Sequence, residues 1–179
     1  MHVSGRKLAI SGLLAALSVV LVTLAAVIET SSLFFIAAAS FMIGIVLREW
    51  GKYCGLAFYV ATVLLCLLVA PAKMYGLTFA GMGAYLVANE FLFEVLAKKE
   101  RIRYRLLFLW IGKGFIFNVM YIPILLFMPK VIIAKPMNTS LFLLLLFAGQ
   151  AAFVLYDFAH HYFQTYIWNK WRGNLMRNI

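Results

Sequence analysis

Four polar residues close to the C-terminus have the types and spacing to do chemistry. Gln150, Asp157, His161 and Gln164 are separated by seven, four and three residues, which places them on one face of a helix. Asp157 and His161 are close enough to touch, and a carboxylate beside an imidazole can relay a proton. The same stripe also suits a plainer role, as hydrogen-bonding glue between helices that satisfies Glu90, Lys113 and Asn118. Two further ionisable groups fall inside apolar sequence. Glu90 lies eight residues before Lys98, and Lys113 lies eight residues after Arg105. On antiparallel neighbouring helices both would sit about 12 Å from the same boundary, so a Glu90–Lys113 ion pair is expected, with Glu94 one turn along from Glu90.

Enzymatic signatures are missing. The chain has no H-E-x-x-H, G-x-S-x-G, phosphate-binding loop or glycine-rich nucleotide turn. His160 and His161 point about 100° apart on a helix, so they cannot ligate one metal alone. Cys54 and Cys66 lie twelve residues apart on one expected helix, roughly 18 Å of rise, too far to bridge. No metal, cofactor or catalytic residue is expected.

The elements that must position these groups are membrane spans. The sequence is 65% hydrophobic and 12% charged, with a mean hydropathy of +0.97, whereas soluble domains carry about a quarter charged residues. Spanning a bilayer takes ~20 apolar residues, and six stretches approach or exceed that length, at about 8–28, 31–47, 54–70, 75–96, 106–128 and 139–168. The expected fold is an all-α, polytopic bundle of six transmembrane helices forming one membrane-embedded domain over residues 1–179, with no segment left for a soluble domain. Arg6 and Lys7 precede the first stretch as they would in a signal peptide, but its apolar run is too long and five more spans follow.

Lys and Arg placement sets sidedness. Arg6, Lys7, Arg48, Lys52, Lys98, Lys99, Arg101, Arg103, Arg105, Lys170, Arg172 and Arg177 share one side, against Lys73, Lys130 and Lys135 on the other. Twelve against three puts both termini in the cytoplasm of a cell membrane. The net charge of +10 is thereby explained by insertion and anionic headgroups, which removes the need for a nucleic-acid partner. Trp50, Tyr53, Tyr104, Trp110, Tyr166, Trp168 and Trp171 cluster at the same interface, as an aromatic belt does. Short links complete the plan: Glu29–Ser31, Arg48–Tyr53, Pro71–Lys73, the charged loop 98–105 and the external loop 129–138. Pro123 inside the fifth span frees the Val119 carbonyl.

Small residues mark close helix approach. Gly76, Ala80, Ala84 and Ala88 form a ridge on the fourth span, the first span pairs Ser11 with Ala15 and Gly12 with Ala16, and the second offers Ser40 and Gly44. The opening segment Arg6-Lys7-Leu8-Ala9-Ile10-Ser11-Gly12-Leu13-Leu14-Ala15-Ala16-Leu17-Ser18-Val19-Val20 resembles the first helix of the substrate-binding S components of energy-coupling-factor (ECF) vitamin importers. Chain length, six spans, both termini inside and a basic pI agree with that family.

The resemblance implies a bacterial bundle that captures a small micronutrient on its external side. It also implies that the first helix, through Ser11, Gly12, Ala15 and Ala16, meets a transmembrane coupling subunit carrying two ATPases. The external polar residues available to a ligand are Glu29, Thr30, Lys73, Thr78 and Tyr121. The link between spans one and two is about three residues, shorter than the ligand-covering loop usual in that family. Two other classes stay open. One is a small non-transporting membrane scaffold, similar in size and span number to the rod-shape-determining membrane protein. The other is a proton-coupled carrier using Glu90, Lys113, Asp157 and His161.

Overall fold

The computed structural model describes residues 5–97, 105–127 and 138–175. These form α1 (Gly5–Val27), a 3-10 turn (Glu29–Ser31), α2 (Ser32–Trp50), α3 (Lys52–Val69), α4 (Lys73–Ala97), α5 (Arg105–Phe127) and α6 (Thr139–Tyr162). A π turn (Phe163–Trp168) then leads from α6 into α7 (Asn169–Leu175). Among the described residues there is no strand, and six helices are long and apolar enough to cross a membrane. The protein is a multi-pass membrane protein. Residues 98–104 and 128–137, with Lys98, Lys99, Arg101, Arg103, Tyr104, Lys130 and Lys135, lie outside the described residues, as does Arg177, while Arg105 opens α5.

The chain divides into two compact units, Met1–Glu90 with Tyr162–Ile179, and Phe91–His161. In the first unit α2 is the central helix, with Ala39 through Leu47 buried without interruption. Both α1 and α3 pack against it. Small side chains allow the approach. Ser18 of α1 is fully buried, and its hydroxyl donates to the Leu14 carbonyl at 2.9 Å and across to the Ala39 carbonyl of α2 at 3.2 Å. Lipid offers no hydrophobic drive between helices, so close van der Waals contact and such bonds carry the association.

The links follow from local chemistry. Gly51, at φ 85° and ψ 169°, occupies a region of backbone space that only glycine enters freely, and it turns α2 into α3 within one residue. Pro71 forces Ala70 to extended backbone (φ −63°, ψ 130°), which ends α3. Lys73 then folds back and donates from Nζ to the carbonyls of Leu67 (2.7 Å), Leu68 (3.3 Å) and Ala70 (3.3 Å). Those are the orphan carbonyls of a helix C-terminus, where a cation is favoured.

The small-residue ridge on α4 is used with a shift. Gly76 lies against Leu67, the Tyr59 hydroxyl donates to the Ala80 carbonyl at 2.9 Å, and Gly83, rather than Ala84, admits Ile43 and the Tyr59 ring. The core side thus follows 76, 80 and 83, because 3.6 residues per turn carries a strict four-residue ridge off the contact.

Candidate functional site: a polar ladder between two helices

The second unit sets α5 and α6 antiparallel, and each step of four residues along α5 meets a step of four back along α6. Lys113 meets Asp157, Phe117 stacks on Phe153 with ring centroids 4.7 Å apart, and Tyr121 lies against Gly149. Residues four apart lie on one ridge of a helix, so a single register aligns every rung. Gly149 is required there, since a Cβ would overlap the Tyr121 ring. The Tyr121 hydroxyl donates to the Leu145 carbonyl at 2.8 Å. Between these rungs Gln150 Nε2 donates to Asn118 Oδ1 at 2.8 Å, and Asn118 Nδ2 donates to the Gly114 carbonyl at 2.8 Å and to Gln150 Oε1 at 3.4 Å. α5 runs helically through Pro123, and an Asx cap, Asn138 Oδ1 accepting from Leu141 N–H at 2.8 Å, starts α6.

The ion pair is the chemical centre. Lys113 Nζ donates to Asp157 Oδ1 at 2.9 Å and Oδ2 at 2.8 Å, and its ammonium lies 5.4 Å from the Trp110 ring centroid. Asp157 is 4% exposed. A lysine and a carboxylate at membrane depth neutralise each other's charge, and the aromatic face adds a cation–π term. The arrangement can hold two helices in register.

Several sequence expectations need correction here. The partner that Lys113 takes within its own unit is Asp157, where Glu90 was expected; Glu90 belongs to the first unit. His161 does not join the inward stripe: it is exposed, and His160 is the buried histidine. Buried positions run 153, 157, 160 and 164, alternating four and three as a helical seam must. That phase carries residue 161 past the seam. Glu94 is half-buried in the second unit, and Gln164 is buried in the first.

The expected ligand anchors fall in both units. Glu29 and Thr30 are exposed on the α1–α2 turn. Lys73 caps α3, Thr78 donates to the Met74 carbonyl at 2.9 Å in its own helix, and Tyr121, in the other unit, is bonded to Leu145. The expected partner face of α1 splits: Gly12 and Ala16 are exposed, while Ser11 and Ala15 are half-buried. Ser11 Oγ turns inward to the Lys7 carbonyl at 2.9 Å.

One polar centre escaped the sequence reading. Glu49 Oε1 accepts from Trp168 Nε1 at 2.9 Å, and its Oε2 accepts from Arg172 Nε at 3.2 Å. These bonds fix the π turn and α7 to the end of α2, beside a Phe41–Phe163 ring contact at 5.3 Å. The signal was legible, because Glu49 is the lone acid in the basic segment Arg48–Lys52.

Comparison with known proteins adds no relative: no family model, curated protein or solved structure matches this chain.

Proposed function

We propose that the protein is the substrate-capture subunit of an ECF-type importer in a bacterial cell membrane. Both termini are cytoplasmic in this reading, and a partner ATPase module supplies the energy. The observation that carries it is the free face of α1. Gly5, Ala9, Gly12 and Ala16 are all exposed, and a Cβ built on Gly5 or Gly12 would meet nothing within 4 Å. A coupling subunit's helix would find backbone there at close range, which is what small-residue faces provide. The opening segment's resemblance to S components points to the same helix.

A second reading, a non-transporting envelope scaffold, draws support from a different observation. Lys73, Thr78 and Tyr121 are bonded to backbone carbonyls, and Lys113, Asp157, Asn118 and Gln150 to one another, whereas a ligand site needs convergent polar groups of its own.

Affinity purification of the tagged chain from its host in mild detergent separates the two. Co-purification of a coupling membrane protein with paired ATPases, lost in Gly12→Leu/Ala16→Leu, is the expected result. Recovery of cell-wall assembly proteins instead would transfer the protein to the scaffold class.

A further inference from the structure

The two ends of the first unit differ in charge. The hairpin order of α1, α2 and α3, with Ser18 against Ala39 and Gly55 against Leu47, brings the start of α1 and the α2–α3 turn to one end. The Glu49 bonds to Trp168 and Arg172 bring α7 there as well. That end therefore carries Arg6, Lys7, Arg48, Lys52, Lys170 and Arg172 together with the Glu49 carboxylate. Along α4, Glu90 lies on the same half. The opposite end carries Glu29 and Lys73, and Lys73 is occupied with α3 carbonyls.

We infer that the basic end is a binding platform for anionic phospholipid headgroups, with Arg48 and Lys170 as the main phosphate contacts. Both side chains belong to exposed residues on separate helices, α2 and α7. Aromatic residues of the adjoining segments are open: Tyr53 is 74% exposed, Tyr166 64% and Trp171 62%. Exposed aromatic rings beside basic side chains suit the headgroup level, where one edge of the ring is apolar and the other wet. Lys52 lies over the Tyr53 ring at 5.5 Å, which keeps its ammonium at that level.

Glu49 is a positioning residue on this platform. Its carboxylate offsets Arg172 and anchors Trp168, which is 7% exposed. With Trp168 turned inward, helical phase carries Lys170 to the opposite, outward face. The π turn contributes to that phase, because one extra residue in a turn rotates everything after it by about 100°.

The full-length protein, reconstituted in nanodiscs of phosphatidylcholine with phosphatidylglycerol and then mildly delipidated, reports retained lipid by native mass spectrometry. Phosphatidylglycerol is expected to be retained in excess. Arg48→Gln/Lys170→Gln should weaken that retention by about 10- to 30-fold, since each basic residue near an anionic surface is worth about 1 kcal/mol. Unfolding of this variant in phosphatidylcholine alone should match the parent. Should the variant fold poorly, the parent protein still decides the matter: raising ionic strength about tenfold should abolish the excess by screening. Equal retention of both lipids by the parent, or an excess that neither salt nor the double substitution reduces, overturns the inference.

Discussion

Removing the Asp157 carboxylate tests whether the α5–α6 ladder is held by charge. Asp157→Leu leaves the Lys113 ammonium at depth, without its two bonds of 2.9 and 2.8 Å. Breaking a buried pair from one side costs about 3–5 kcal/mol. The long Lys113 side chain can snorkel toward the interface, which reduces the expected cost to about 2–3 kcal/mol. Lys113→Met alone strands the carboxylate and should cost a similar amount. The double variant replaces the pair by apolar side chains and is expected within about 1 kcal/mol of the parent. The coupling energy is then about 3 kcal/mol or more. Hydrogen bonds within membranes average only about 0.6 kcal/mol, so an Asn118→Ala/Gln150→Ala cycle on the neighbouring rung sets the scale. Equilibrium SDS unfolding in mixed micelles measures both cycles. A Lys113–Asp157 coupling no larger than the Asn118–Gln150 value would refute the charge argument and leave the pair as one polar rung among others.

Gly149→Val pushes two methyl groups into the Tyr121 ring and should destabilise the second unit by about 1–3 kcal/mol; unchanged SDS unfolding would show that α5 and α6 do not pack in this register. Gly51→Ala, at φ 85°, should cost about 1 kcal/mol or more, seen as a lower thermal midpoint in detergent, whereas Gly12→Ala, with open space around it, should be neutral in the same assay. A maleimide should modify half-buried Cys54 and spare buried Cys66 in the folded protein, because the reaction needs a water-accessible thiolate; intact-protein mass spectrometry with digestion reads which thiol reacts, and equal labelling would contradict the burial of α3.

The bundle was legible because apolar length is a one-dimensional property. A run such as 8–28 has only one way to satisfy its backbone in lipid, as a helix, and the structure places α1 over Gly5–Val27. The links were legible for similar reasons: Gly51 and Pro71 restrict the backbone wherever they occur. The polar stripe was readable as a set of residues but not to a single position. Residues 160 and 161 are both near the face of Asp157, and only the packing of Phe153, Asp157 and Gln164 decides which is turned inward. Lys73 and Tyr121 read as ligand anchors because each is polar in an apolar setting; that their bonds go to α3 carbonyls and to Leu145 is a matter of fold-back, invisible in spacing.

Composition along short windows therefore sets the membrane environment of this protein and its six helical spans. Pairing belongs to the tertiary structure. Spacing suggested Glu90 for Lys113, and the register of α5 against α6 gives it Asp157. Glu49 took Trp168 and Arg172 from more than a hundred residues away because a π turn rephased the end of the chain. A charge in lipid must find a partner, but the sequence specifies only the need, and the packing of helices chooses the partner that meets it.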